Sequence, residues 1–152
     1  MTLFAETDRL AELLRQKQAV LLQMFELGRK QLEYIEAGEM SQLFKVLSAK
    51  QRVLANLQGV EQSLDPFREQ DPEQRRWCSA EARQEAADVT RRCEWLLSQI
   101  MQQEKQSESR LLVRRNDAAE QLHGLHQGTA SRTAYVDSHT PVSLELDLST
   151  ES

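Results

Sequence analysis

From about Ser79 to His126 nothing interrupts a helical apolar period. Ala82, Ala86, Val89, Cys93, Leu96, Leu97 and Ile100, then Leu111, Ala118, Leu122 and Leu125, share one slowly drifting face. At 1.5 Å per residue a single helix over that span would reach about 70 Å. A chain of 152 residues holds only one folding unit's worth of core. The weakest stretch is Gln102 to Ser109, where Gln103 and Ser107 occupy the face, and a bend or break there is the alternative.

Two shorter periodic segments precede this run. Leu10, Leu14, Leu21, Phe25, Leu32 and Ile35 recur at helical spacing, and Leu13, Val20, Met24 and Leu27 widen the stripe beyond a two-stranded seam. Thr7 or Asp8 offers an oxygen to the first-turn amides, and Gly38 can take the left-handed conformation that closes a helix. Met40, Leu43, Leu47, Leu54, Leu57 and Leu64 then follow, with Lys50 and Glu61 as polar interruptions. So short a connection predicts an antiparallel hairpin of residues 8–37 and 41–64, with Leu14, Leu21, Phe25, Leu47, Leu54 and Leu57 as its joint core. Pro66 should end the second helix, because it lacks an amide donor and restricts Asp65. Residues 65–78 read as a connector in which Asp71-Pro72-Glu73-Gln74 starts a short helical turn.

Only 5 glycines and 3 prolines, with aromatic residues at 5%, support an all-α fold. The expected architecture is the hairpin packed on a long third helix, a three-helix, coiled-coil-like bundle over residues 1–127. Gly128 should end helical character, and residues 128–152, rich in Ser and Thr, read as a flexible polar tail. Within it Val142, Leu144, Leu146 and Leu148 alternate with polar residues, which marks either a latent binding segment or simple disorder.

The net charge of −5 argues against general affinity for nucleic acid or an anionic membrane, and the arginine pairs at 75–76, 91–92 and 114–115 sit among acids. The start MTLFAETDRL carries acids and no basic segment, and no apolar run approaches the ~18 residues of a membrane span, which predicts a cytoplasmic protein. Cys78 and Cys93 read as free thiols of a reduced compartment. Glu120-x-x-His123 has the spacing of a carboxylate-bridged metal pair, but no second pair exists, and His123-x-x-His126 lacks a third ligand. With no Gly-rich phosphate loop and no activated nucleophile, the sequence predicts neither an enzyme nor a cofactor.

The first two helices would each span about 40 Å, so they cannot cover the whole of the third. The distal part, with Leu111, Leu112, Ala118, Leu122 and Leu125, then needs another partner and is the expected client-binding surface. The candidates are a second copy of the chain, a client helix, or the tail folded back as a lid. A break near Ser107 would instead return the last segment as a fourth bundle member.

Three segments carry a family resemblance. They are LLRQKQAVLLQMFELGRKQLEYIEAGEMSQLFKVLSAKQRVLANL, with an alanine-glycine-acid turn; RLLVRRNDAAEQLHGL near the end of the long helix; and TAYVDSHTP with its isolated tyrosine. Together they resemble the FlgN family of flagellar export chaperones over nearly the whole chain. Asp137-Ser138 stand where the family pattern would have a glycine soon after the tyrosine. The resemblance implies a cytosolic chaperone of the flagellar type III export route. It would hold C-terminal helical segments of hook–filament junction proteins until they reach the export gate, with Tyr135 as a tail contact and no cofactor. A FliT-like chaperone or regulator, or a coiled-coil scaffold that self-associates as a homodimer, stays open beside it.

Overall fold

The computed structural model describes the backbone of residues 4–139 and the side chains of residues 4–129. Among these residues the elements are α1 (Ala5–Ala37), α2 (Met40–Arg68), a 3-10 turn (Pro72–Gln74) and α3 (Ala80–His139), with no strand. The fold is all-α, as the sequence predicts. The chain divides into two units, residues 1–110 and 111–152.

In the first unit α1 and α2 are antiparallel. Lys17 of α1 pairs with Glu61 of α2 at 2.9 Å, and further along α1 the Gln31 amide oxygen accepts from Lys50 at 2.7 Å. Gly38 makes the reversal with φ 71°, and its amide and the next donate to the Ile35 and Tyr34 carbonyls. That left-handed geometry is cheap only for a residue without Cβ. The proximal part of α3 runs parallel to α1, since the Cys93 thiol faces the Leu14 carbonyl, Gln103 reaches the Phe25 carbonyl, and Arg110 pairs with Glu36.

Two apolar clusters hold these helices. One comprises Leu21, Val89, Cys93 and Leu96, flanked by Leu14, Phe25, Leu57 and Ile100. The other comprises Leu10, Leu13 and Leu64, flanked by Val60, Phe67 and Trp77. Each leucine so buried contributes about 1.5–3 kcal/mol relative to exposure.

Several boundaries differ from the sequence reading. Thr7 is not the cap of α1, which begins at Ala5; its buried hydroxyl donates to the Arg76 carbonyl at 2.7 Å and so ties the connector to the first turn. Helix α2 continues through Pro66 to Arg68. A proline near a helix end forfeits one bond and not a whole ladder, and here Phe67 gains a place against the Leu10/Leu13/Leu64 cluster. The freed end is capped from outside, by the Arg75 guanidinium donating to the Phe67 carbonyl at 2.6 Å. Leu54, expected in the hairpin core, is 45% exposed, while Leu43, Val46 and Leu64 are buried. At about 100° per residue Leu54 falls some 80° from Val46 and Leu64, though only about 20° from Leu43.

The expected short helical turn forms as a 3-10 turn, with the Asp71 carboxylate accepting from the Glu73 amide at 3.0 Å, and Arg75 is already extended. Ser79 then caps α3 by accepting from the Ala82 amide at 3.0 Å. Gly128 does not end α3, which runs to His139. One interior glycine costs a helix only about 1 kcal/mol and is no stop by itself. Val142, Leu144, Leu146 and Leu148 lie outside the described residues, as does the Tyr135 side chain.

Both cysteines are free, Cys78 exposed and Cys93 buried. Burial pushes the Cys93 thiol above its usual range, against the smaller opposing pull of Lys17. A colorimetric thiol reagent at neutral pH is expected to titrate one thiol per native chain promptly and the second only after denaturant is added. Two fast thiols in the native protein would contradict the placement of Cys93.

Candidate functional site

Polar residues occupy one layer of the first unit's seam, and they are those that weakened the sequence pattern of the third helix. Gln103 is 8% exposed and Ser107 2%, yet α3 passes through them unbroken. Gly28 explains how Gln103 fits, because a Cβ built there would lie 2.2 Å from Gln103 Oε1 and 2.8 Å from its Cδ. The missing side chain is the space that the amide fills. Gln103 Nε2 donates to the Phe25 carbonyl at 3.0 Å, while its Oε1 and the Ser107 Oγ have no partner among the described residues.

Lys50 completes the layer by donating to Gln31 Oε1 and pairing with Glu104. Burial lowers its affinity for a proton below that of an ordinary lysine. The folded state therefore holds the charged amine at a cost, which Gln31 and Glu104 offset. Such a layer contributes less stability than leucine would, but the Lys50–Gln31 and Gln103–Phe25 bonds form only in this register.

The second unit carries the residues expected to bind a client. On the helix from Leu111 to His139, Leu111 is half-buried and Ala118 is exposed. Leu112, Leu122 and Leu125 are 47%, 67% and 69% exposed, and Val113, which the sequence reading passed over, is 57% exposed. At 100° per residue Leu111, Ala118, Leu122 and Leu125 fall within an arc of about 60°, with Leu112 about 100° round from Leu111. Arg114 and Arg115 stand on either side of that stripe by the same rotation.

Contiguous apolar area left in water on a helix marks a surface for another molecule more often than isolated exposed leucines do. Glu120, His123 and His126 share the segment, all exposed. Among the described residues no group of three His, Cys, Asp or Glu side chains could hold a metal ion, and no helix is long and apolar enough to cross a membrane. Comparison of the chain with protein-family models, curated proteins and solved structures finds no match.

Proposed function

We propose that the protein is a helical-segment chaperone of the FlgN type, which binds its client along the α3 stripe of Leu111, Ala118, Leu122 and Leu125. The exposed stripe on the second unit carries this reading. An amphipathic client helix would bury its leucines against these, and each leucine covered gains about 1.5–3 kcal/mol. The resemblance of the three sequence segments supplies the client class, the C-terminal helical segments of hook–filament junction proteins, and with it a cytoplasmic place of work before export.

The experiment is to titrate Leu122→Glu and Leu125→Glu against hook–filament junction proteins and to melt both variants alone. Client affinity is expected to fall at least tenfold, with the melting temperature within a few degrees of the parent, because side chains about two-thirds exposed have few intramolecular contacts to lose. Unchanged affinity would remove the stripe as the client surface. Early unfolding of both variants would show that the stripe is packed core.

A further inference from the structure

The proximal part of α3 changes character at Ile100. Before it, Ala86, Val89, Cys93 and Leu96 are buried, and Ile100 itself packs partly buried against the cluster around Leu21. From residue 101 to residue 110 only Gln103 and Ser107 are buried, and every other side chain is exposed, Met101 included. That stretch therefore buries no apolar side chain of its own.

What ties it to the hairpin is polar. Gln103 donates to the Phe25 carbonyl, Glu104 pairs with Lys50 of α2, and Arg110 pairs with Glu36 of α1. The carboxylates of both ion pairs are half exposed, and pairs open to water are weakened by salt. Gln103 Oε1 and Ser107 Oγ give up water on burial and gain no partner among the described residues in return. A segment with few buried apolar contacts opens at a lower free energy than the core beside it.

We propose that residues 101–110 of α3 form a latch over the Gly28 stretch of α1, held by the Lys50–Glu104 and Arg110–Glu36 pairs and able to open while the apolar layer up to Ile100 stays closed. Opening breaks the Gln103 bond to the Phe25 carbonyl and returns Gln103 and Ser107 to water. It bares the space beside Gly28 that the Gln103 amide fills when the latch is shut. Leu21, Val89, Cys93 and Leu96 keep one another's contacts, so the hairpin and α3 stay joined. Ionic strength sets the balance, since screening removes what the two pairs contribute and leaves the apolar layer in place. The latch lies wholly in the first unit and does not rest on the client reading of the second.

Cys93 and Ser107 supply the comparison, because both side chains are 2% exposed on the same helix, one in each layer. Ser107→Cys in the full chain carrying Cys78→Ser gives two buried thiols in one molecule. Each is alkylated with iodoacetamide, read on its own proteolytic peptide, and its rate divided by that of the same thiol in the denatured chain. Protection at residue 107 is expected to be at least tenfold lower than at Cys93. It should fall a further threefold or more at about 1 M salt, where the screening length is about 3 Å, and likewise on Glu104→Gln. Protection at Cys93 should change by less than twofold in both cases. Hydrogen exchange makes the same comparison on the unmodified chain, because a detached helix of so few residues is marginal on its own. Amides of residues 101–110 should exchange at least tenfold ahead of those of residues 89–100, and the gap should widen with salt. Equal protection of the two thiols, or a difference that ignores both salt and Glu104→Gln, would overturn the proposal. If Ser107→Cys loosens Cys93 as well, hydrogen exchange decides, and equal rates in the two stretches, or a gap that salt leaves unchanged, would overturn it.

Discussion

Replacing Leu21 by alanine is expected to lower the unfolding free energy by about 2–5 kcal/mol, the range for deleting a leucine side chain from a closed core. Leu21 is fully buried at the centre of the cluster that joins α1 to Val89, Cys93 and Leu96 of α3. A domain of this size has about 5–15 kcal/mol in all, so the variant should melt many degrees early or fail to accumulate. Leu54→Ala is the matched control. The sequence pattern gives Leu54 the same weight as Leu21, but its side chain is 45% exposed, and its loss should cost under about 1 kcal/mol. Urea unfolding of the two variants beside the parent measures both. Equal losses would mean that α2 is rotated from the face described above.

Gly28→Leu should be the most damaging substitution at any glycine in the first unit. A bare Cβ at residue 28 already meets the Gln103 amide at 2.2 Å, and the remaining leucine atoms would have to displace that amide from its bond to the Phe25 carbonyl. Overpacking of this kind costs about 1–3 kcal/mol, to which the lost hydrogen bond adds. Alanine poses a finer question, because it removes the helix penalty of glycine, about 1 kcal/mol, while making the same first clash. Gly28→Ala alone should therefore give no net gain. In a Gln103→Ala background the clash is gone, and the same substitution should stabilise by about 1 kcal/mol. A four-protein cycle by denaturant unfolding isolates the coupling between the two positions, and a coupling near zero would show that Gly28 and Gln103 do not share that space.

How much of this was legible in the sequence depends on whether the deciding interaction is local. The Gly38 turn was legible because φ 71° is a requirement of a single residue. The Asp71 cap and the start of α3 at Ser79 were legible because each is decided within three or four residues. The apolar clusters were readable as stripes, though their centres were not. On α2 the leucines suggested a face through Leu54, whereas the buried arc runs through Val46 and Leu64, because α1 and α3 meet that helix from a direction the periodicity cannot specify.

Three features were decided by tertiary structure. Pro66 and Thr7 read as boundary signals, but Phe67 gains burial by extending α2 past the proline, and the Thr7 hydroxyl is taken by a carbonyl 69 residues away in sequence. Gln103 reads as a weak point in α3 because the space that accepts it is an absent side chain on α1. The sequence by itself determined where helices form and how the hairpin reverses, because backbone dihedrals and nearby hydrogen bonds answer to neighbouring residues. Which face of each helix is buried and where polar groups are tolerated depended on side chains far apart in the chain, and only packing brings those together.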